Sequence, residues 1–257
     1  MSADVLEPGA TAILTQARTG STRLPGKVLE EVAGRTVLAH HLDRLVATGL
    51  PVVVATTTAD RDDAVVELAR GCGVEVFRGS EDDVLDRFDR CASAYELEGV
   101  VRVTSDCPLI DAAVITAAVR LWDHDPHAYV SNGLRRTYPR GYDVEVFGAA
   151  ALHDAAREAG DPAEREHVTP WLYSGRVPGL RLVGLERAVD DSDLRVTLDT
   201  PEDLQLLRAL LEDHGAARLD LAGVVAVLRA HPELVALNAA VQQKPLRAGV
   251  AAGGSSS

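Results

Sequence analysis

Strands and helices alternate strictly over the first half of this 257-residue chain. Apolar runs predict buried strands at 11–16, 51–56, 73–77 and 99–104, and helical periodicity predicts helices at 36–49, 61–71, 83–97 and 111–123. A helix between two consecutive strands is the usual connection between parallel strands. This half of the chain therefore predicts an α/β fold, with a mostly parallel central sheet covered by helices on both faces.

The alternation stops after residue 125. Here the sequence predicts strands at 128–132, 142–147, 181–186 and 194–198, and helices at 148–159, 162–174, 201–213 and 219–230. We expect a single domain over residues 11–240, preceded by a short arm at 1–10. The segment 241–257 ends in AGVAAGGSSS, a linker composition that predicts a flexible tail.

Charge and composition exclude several classes of partner. The chain has 26 Lys and Arg against 39 Asp and Glu, a net charge of −13, so the basic footprint of a nucleic-acid-binding protein is missing. No apolar run approaches the roughly 20 residues of a membrane helix, and the first ten residues do not resemble a signal peptide. The cysteines Cys72, Cys91 and Cys107 are odd in number and lack zinc-site spacing. We therefore expect a cytoplasmic protein that binds neither a nucleic acid polymer nor a membrane.

A basic loop follows the first predicted strand. The segment QARTGSTRLPGK (16–27) contains Arg18, Arg23 and Lys27 and no acidic residue, in a chain of net charge −13. Ligands of open α/β sheets bind beyond the carboxyl ends of the strands, where this loop begins. The loop therefore predicts an anion site, with an ordinary solvated loop as the alternative.

The glycines of this loop also favour phosphate binding. Gly20 and Gly26 allow the backbone to approach a ligand closely, and loop amides can surround phosphate oxygens. The loop is not a P-loop, because Ser21 stands where that motif needs Gly and Val28 where it needs Ser or Thr.

Two aspartates at the ends of predicted strands are not needed for helix capping. Asp111 is the expected N-cap of helix 111–123, which leaves Asp106 without a capping function. Thr200 is the expected N-cap of helix 201–213, so Asp199 also has no capping function. Mg²⁺ binds hard oxygen ligands, often one or two carboxylates together with phosphates and water. Their position therefore favours Asp106 and Asp199 as magnesium ligands.

Six motifs follow one another in a fixed order along the chain. They are TQARTGSTRLPGKVLEEVAGRTVLAHHLDRL, RGSEDDVLDRF (78–88), VRVTSDCPLID (101–111), RTYPRGYDVEVF (136–147), EREHVTPW (164–171) and VTLDTPEDL (196–204). Together they resemble the cytidylyltransferases over residues 11–215, especially the spore-coat polysaccharide type and more distantly the CMP-Kdo and CMP-sialic acid synthetases. The resemblance implies a Rossmann-like, GT-A-like nucleotidyltransferase fold, CMP transfer from CTP, and a Mg²⁺ cofactor. Ser105 is a departure, since that family usually has Gly before this Asp.

The resemblance also implies functions for individual residues. Arg18, Lys27, Asp106 and Asp199 would be catalytic, and the two aspartates would bind the metal. The nucleotide would be bound by Gln16, Ala17, Arg18, Gly20, Ser21, Arg23, Lys27, Ser80, Asp83, Thr104 and Asp106. From its residues alone, segment 80–83 could equally be a helix start with Ser80 as the cap and Asp83 in the first turn. We expect the basic residues of the loop to act on the phosphates rather than on stability.

The second half of the chain would bind the acceptor of the CMP group. The candidates are Tyr138, Arg140, Asp143, Glu145, Glu166 and His167, and a strand at 142–147 would place its two acids on one face. Arg135, Arg136 and Arg140 form a second basic cluster, which predicts a small anionic acceptor such as a sugar acid, sugar phosphate or phosphonate. A solvated strand with surface charges is the alternative. Relatives are commonly dimers, so residues 126–190 are expected to bind the acceptor and to form a homodimer interface.

Other functions are compatible with parts of this pattern. A nucleotidyltransferase that uses UTP or dTTP with a sugar 1-phosphate has a similar fold, but usually a loop richer in glycine. A non-catalytic nucleotide-binding or assembly protein would tend to lose Arg18, Lys27, Asp106 and Asp199. A glycosyltransferase that uses nucleotide sugars would need a D-x-D-like metal pair, which SDCPL lacks.

Overall fold

A mixed sheet forms the centre of the protein, for which a computed structural model describes residues 6–242. The strands are β1 (Thr11–Gln16), β2 (Glu31–Val32), β3 (Arg35–Thr36), β4 (Val52–Thr57), β5 (Glu75–Gly79), β6 (Gly99–Thr104), β7 (Ala128–Ser131), β8 (Glu145–Gly148) and β9 (Arg181–Gly184). Seven of them form one sheet in the order β5–β4–β1–β6–β8–β7–β9, and β2 and β3 form a separate hairpin. In the large sheet β8 alone is reversed, so the predicted mostly parallel sheet is confirmed.

Helices pack against both faces of this sheet. They are α1 (Val37–Val46), α2 (Asp63–Gly71), α3 (Val84–Ala94), α4 (Ala112–Trp122), α5 (Ala149–Glu158), α6 (Pro162–His167), α7 (Pro201–Arg208), α8 (Leu221–Ala230) and α9 (Pro232–Asn238). Successive side chains of a strand point to opposite faces, so Ile13 of β1 packs with Leu42 of α1 in one apolar core. Leu14 packs with Phe88 of α3 and Leu152 of α5 in the other. Burial on both faces explains why the strands are continuous apolar runs.

Some predicted element bounds differ from those in the structure. The strand expected from residue 142 begins only at Glu145, and the sequence did not predict the β2–β3 hairpin or α9. Residues 1–5 of the expected arm and 243–257 of the expected tail lie outside the described residues. In the part that is described, no single helix is long and apolar enough to cross a membrane. The α8–α9 pair, bent by 98°, meets that test by length and composition only.

The predicted helix 162–174 is wrong as a single element. Helix α6 ends at His167, and Val168 takes a φ of 71° while Thr169 N–H donates to the carbonyl of His167 at 2.8 Å. A positive φ is uncommon for a buried β-branched residue, and this one interrupts the helix with a tight turn. A single 3₁₀ turn at 172–174 follows.

The predicted strand 194–198 is also wrong, although the segment is extended. Its one bridge joins Arg195 to Arg140, and it does not join the sheet. Its backbone bonds instead to loops, since Leu198 N–H donates to the carbonyl of Asp106 at 2.8 Å. This contact places Asp199 next to the carboxyl end of β6.

Gly141 lies where the loop before β8 crosses that extended segment. Its φ is 109°, a value that L-residues rarely adopt. A Cβ at this position would lie 2.8 Å from the backbone carbon of Val196 and 2.9 Å from the nitrogen of Thr197. Glycine is therefore required here both by backbone conformation and by the close approach of a second segment.

Gly141→Ala should lower the free energy of unfolding by about 2 kcal/mol or more, because the new methyl group meets backbone atoms that cannot rotate away. Urea unfolding measures this loss. Gly160→Ala is the matched control, since its Cβ would meet nothing within 4 Å, and it should stay within about 1 kcal/mol of the parent protein. Equal stability of the two variants would contradict this account of Gly141.

Candidate active site

A cleft of about 470 Å³ opens at the carboxyl ends of β1 and β6. The predicted site residues that line it are Gln16, Ala17, Arg18, Gly20, Ser21, Arg23, Lys27, Thr104, Asp106, Arg140, Asp143, Glu166, His167 and Asp199. Ser105, the departure from the family pattern, lines it as well. A second cavity of about 310 Å³, beside α7, α8 and α9, shares Arg140 with this cleft. The predicted anion loop and the two spare aspartates therefore meet in one cleft.

The ammonium group of Lys27 joins the two aspartates. Its Nζ donates to Asp106 Oδ2 at 2.8 Å, to Asp199 Oδ1 at 2.9 Å and to the carbonyl of Leu198 at 2.7 Å. Arg23 adds a second contact to Asp199 Oδ1 at 3.0 Å. Because the basic loop contains no acidic residue, its acidic partners come from segments that lie far along the chain. Lys27 therefore also has a structural function, which the sequence did not predict.

The charges of this cluster stabilise one another. Burial alone would raise the pKa of Asp106, but the adjacent Lys27 ammonium outweighs it and brings that pKa to about 2. Burial alone would lower the pKa of Lys27, but Asp106 and Asp199 outweigh it and raise that pKa above its ordinary value. Lys27 and Asp106 are therefore charged throughout the neutral range.

Asp199 is held from its other side by the start of α7. Arg195 Nη2 donates to Asp199 Oδ2 at 2.9 Å, and Arg195 Nε donates to Asp203 Oδ1 at 2.8 Å. Asp203 in turn completes a capping box with Thr200, which confirms Thr200 as the N-cap. Asp111 caps α4 as predicted, so neither Asp106 nor Asp199 caps a helix.

The Asp106 and Asp199 carboxylates fit a magnesium ion by their chemistry. Both contact one positively charged atom, Lys27 Nζ, so their oxygens converge on one place in the cleft. Within residues 6–242 there is no group of three or more His, Cys, Asp or Glu side chains that could hold a metal ion. Two carboxylates are a donor set that Mg²⁺ can complete with phosphate and water oxygens.

A buried carboxylate that the sequence analysis missed holds the basic loop in place. Asp62 Oδ1 accepts hydrogen bonds from the backbone and hydroxyl of Thr19, both at 2.7 Å, and its other oxygen accepts from the hydroxyl of Thr57. Asp62 is fully buried, and these bonds hold its pKa below the ordinary value despite that burial. Asp62 directly precedes α2, so from sequence alone it has the position of an ordinary helix N-cap.

The second basic cluster separates in the structure. The side chain of Arg135 is 77% exposed and pairs with Glu186 at 3.1 Å, while Arg136 pairs with Asp143. Arg140 lines the cleft and, among the described residues, makes no ion pair and no side-chain hydrogen bond. Burial and the neighbouring Arg136 lower the pKa of Arg140, but an arginine stays protonated at neutral pH. Arg140 is thus a cation of the cleft that no carboxylate of the described residues contacts.

The end of α6 brings a carboxylate and an imidazole into the same cleft. Glu166 and His167 both line it, directly before the turn at Val168. Burial lowers the pKa of His167 from its ordinary value, and the attraction of Glu166 only partly opposes this. The imidazole is therefore neutral at pH 7 and can accept a proton.

Ser80 and Asp83 do not line the cleft. Asp83 is itself the N-cap of α3, accepting from Asp86 N–H at 2.9 Å, so the prediction of Ser80 as the cap is wrong. Ser80 instead accepts from the backbone N–H of Asp83 at 3.1 Å. Asp83 Oδ2 also accepts from Arg165 Nε at 2.9 Å, which ties α6 to the start of α3. Both residues therefore support the elements around the cleft.

Tyr138 and Glu145 lie outside the cleft as well. The buried ring of Tyr138 has the Arg187 guanidinium 5.6 Å from its centroid. Glu145 accepts from the hydroxyl of Thr169 at 2.6 Å and pairs with Arg102, which does line the cleft. Asp143 and Glu145 thus do not share a strand face, because β8 begins only at Glu145.

Arg87 and Arg102 line the cleft, and the sequence analysis singled out neither of them. Arg102 Nη2 donates to Gln16 Oε1 at 3.2 Å, so Glu145 acts on the cleft through Arg102 and Gln16. Neither was predicted, because Arg102 belongs to a strand that is otherwise mostly apolar and Arg87 belongs to a helix with several other charged residues.

Comparisons with known proteins point to one family. A family model described as cytidylyltransferase matches residues 12–227. The spore coat polysaccharide biosynthesis protein SpsF of Bacillus subtilis is 32% identical over 216 residues, which is 79% of this chain and 86% of that protein. The 3-deoxy-manno-octulosonate cytidylyltransferase of Solibacter usitatus is 32% identical over 208 residues, which is 76% of this chain and 79% of that protein. A solved structure of a cytidylyltransferase from Leptospira borgpetersenii has a TM-score of 0.81 at 32% identity, covering 88% of this chain and 97% of that one.

Lys27→Met should lower the free energy of unfolding at pH 7 by about 2 kcal/mol, because it leaves the Asp106 carboxylate without its partner. The folded-state pKa of Asp106 is depressed to about 2, so its contribution is complete above the unfolded-state value near 3.8 and is lost as pH falls toward 2. The stability difference between the parent protein and the variant should therefore narrow below pH 4.

Urea unfolding of both proteins between pH 7 and about pH 2.5 measures this difference. Arg35→Met is the control, since the Arg35 and Asp43 side chains are 46% and 49% exposed and such a pair contributes about 1 kcal/mol or less. A Lys27→Met variant as stable as the parent at pH 7 would contradict a structural function for Lys27.

Proposed function

Because this chain belongs to the cytidylyltransferase family, we propose that it transfers CMP from CTP to a small anionic acceptor in a Mg²⁺-dependent reaction that releases pyrophosphate. Family membership establishes that the chain is a nucleotidyltransferase enzyme. One observation carries the finer proposal: a cleft that joins the Lys27–Asp106–Asp199 cluster to Arg140, a cation without an ion-pair partner among the described residues.

The reaction is a direct displacement at phosphorus. An acceptor oxygen forms a bond to the α-phosphorus of CTP, and the bond from that phosphorus to the oxygen bridging to the β-phosphate breaks. Arg18, Arg23 and Lys27 would donate to the phosphate oxygens and stabilise the charge of the departing pyrophosphate. Asp106 and Asp199 would hold Mg²⁺, which supplies charge neutralisation at the α- and β-phosphates.

Arg140 would orient the acceptor. A guanidinium group can bind a carboxylate, phosphate or phosphonate through two parallel hydrogen bonds, which would hold the attacking oxygen in place. His167, neutral near pH 7, would accept the proton of an acceptor hydroxyl, and Asp143, held by Arg136, would bind other hydroxyl groups. The name of the Solibacter usitatus relative, 3-deoxy-manno-octulosonate cytidylyltransferase, supports this class, since 3-deoxy-manno-octulosonate is a sugar acid.

The other functions have less support. Family membership favours CTP over UTP or dTTP, and it favours an enzyme over a non-catalytic binding or assembly protein. The homodimer stays a prediction, with residues 126–190 as the proposed interface. Their edge strand β9 carries Leu182 with 45% of its side chain exposed.

Pyrophosphate release tests the proposed function directly. The protein is incubated with ATP, CTP, GTP or UTP, each with acidic sugars, sugar phosphates, phosphonates and neutral sugars. We expect release with CTP, Mg²⁺ and an anionic acceptor, and none after chelation with EDTA. Preference for another nucleotide, full activity in EDTA, or preference for a neutral sugar would each contradict one part of the proposal.

Asp199→Asn should lower kcat/KM roughly 30- to 150-fold, which corresponds to a loss of about 2–3 kcal/mol of transition-state stabilisation. The reason is that the amide keeps the shape of the carboxylate but removes its charge. Steady-state kinetics at saturating Mg²⁺ measures the loss, and Asp43→Asn, in an exposed ion pair, is the control and should keep normal turnover. Near-normal turnover of Asp199→Asn would remove Asp199 from the site.

Arg140→Ala should raise the acceptor KM about tenfold or more while changing the CTP KM less than about twofold, since a charge-assisted contact contributes about 1.5–3 kcal/mol. The control is Arg135→Ala, because Arg135 is exposed, pairs with Glu186 and does not line the cleft. If Arg140→Ala weakened CTP binding alone, Arg140 would belong to the nucleotide and the anionic-acceptor assignment would be wrong.

A further inference from the structure

Arg87 is a buried cation in the wall of the cleft. It lies near the start of α3, and the residue is only 1% exposed. Its Nη1 donates to the carbonyl of Ser80 at 2.5 Å, whereas its buried Nε has no hydrogen-bond partner. Over the described part of the chain, no carboxylate forms an ion pair with it. Arg87 therefore has a buried charge and an unsatisfied donor beside the space where a ligand would bind.

A second arginine makes this arrangement more costly. Arg18 Nη1 donates to the carbonyl of Glu81 at 3.3 Å, so both guanidinium groups converge on the backbone at 80–81. Within residues 6–242, Arg18 also forms no ion pair with a carboxylate. Burial and the repulsion of Arg18 lower the pKa of Arg87 to about 10, which still leaves it charged at neutral pH. Asp62 and Glu81 attract Arg87 and offset only part of this effect, and neither forms an ion pair with it.

Gly79 provides the space that the stem of Arg87 occupies. A Cβ on Gly79 would lie 2.9 Å from Arg87 Cγ and 3.3 Å from Arg87 Cβ. The φ of Gly79 is not positive, so its backbone conformation does not by itself require glycine. An unpaired buried charge is normally avoided because its desolvation is expensive, yet here the neighbouring residue makes room for it. This combination points to a ligand that supplies the missing negative charge.

The charge balance of the cleft indicates where that ligand binds. Lys27 and Arg23 already contact Asp106 or Asp199, so protein carboxylates offset much of their charge. Among residues 6–242, Arg18 and Arg87 contact no carboxylate in this way. Guanidinium groups match the oxygens of phosphate in geometry and charge, and the hydrogen bonds between the two groups are stronger when they are buried.

We propose that Arg87, together with Arg18, binds the polyphosphate of the nucleotide substrate, an assignment that rests on the proposed function. An anion at this place would supply negative charge beside Arg87 and would offset the repulsion between the two guanidinium groups. Arg87 is therefore a substrate-binding residue.

Arg87→Gln should weaken CTP binding about tenfold or more, as measured by calorimetry without an acceptor. CMP, which lacks the polyphosphate, should lose less than about threefold. The ligand-free variant should be as thermally stable as the parent protein or more stable, because an unpaired buried charge has been removed. A residue that serves only packing would show the opposite stability change.

Two further variants separate binding from packing. Arg90→Gln, on the exposed side of α3 with 65% of its side chain accessible, should bind CTP within about twofold of the parent protein. Gly79→Ala keeps the charge of Arg87 but displaces its stem, and it should weaken CTP binding more than CMP binding. It also tests the assignment if Arg87→Gln fails to fold.

The outcomes distinguish this inference from the proposed function. If the parent protein binds CTP and both Arg87→Gln and Gly79→Ala bind it equally well, the assignment of Arg87 is wrong and the proposed function stands. If Arg87→Gln loses CTP and CMP equally and unfolds at a lower temperature, Arg87 is structural and the assignment is also wrong. If the parent protein prefers another nucleoside triphosphate, CTP specificity fails, and the same variants test Arg87 with that triphosphate and its monophosphate.

Discussion

The ion cluster of Lys27 with Asp106 and Asp199 is the contact on which the arrangement of the site depends. It joins three segments that are distant in sequence: the loop after β1, the end of β6 and the turn before α7. Charges at hydrogen-bonding distance interact strongly when they are largely removed from water, and here burial opposes ionisation of both Lys27 and Asp106. The cluster forms because the sheet brings these segments together, and once formed it holds their loops in one geometry.

The order of the strands explains why these segments meet. Strands β1 and β6 are adjacent and parallel, so the basic loop and Asp106 follow neighbouring carboxyl ends. Beyond β6 the reversed strand β8 and the loop before it bring Arg140 and Asp143 to the same end of the sheet. Helix α6 then adds His167, because the turn at Val168 ends the helix beside the cleft. A regular parallel half and an irregular second half thus each provide one side of the site.

The sequence predicted the features that depend on local pattern. The alternation of strand and helix patterns predicted the sheet. Once the expected helix caps were assigned, Asp106 and Asp199 remained as aspartates at strand ends without a capping function. The features it missed depend on contacts between distant segments. One such contact is the ion pair of Glu145 with Arg102. Another is the burial of Arg87, although α3 contains several other charged residues. A charged residue in a helical pattern is ordinarily solvated, so only the packed structure shows that such a residue is buried.

The cations of the cleft fall into two groups that differ in how their charge is offset. Lys27 and Arg23 are offset by protein carboxylates, which places them before any ligand binds and stabilises the fold. Arg18, Arg87 and Arg140 make no ion pair within residues 6–242, so their charge is available to a ligand at the cost of some stability. In a chain of net charge −13, such a local positive field is also what allows an anion to approach. Lys27 and Arg23 therefore order the site and, by the proposed function, also act on the phosphates, whereas the other three arginines would act on ligands alone.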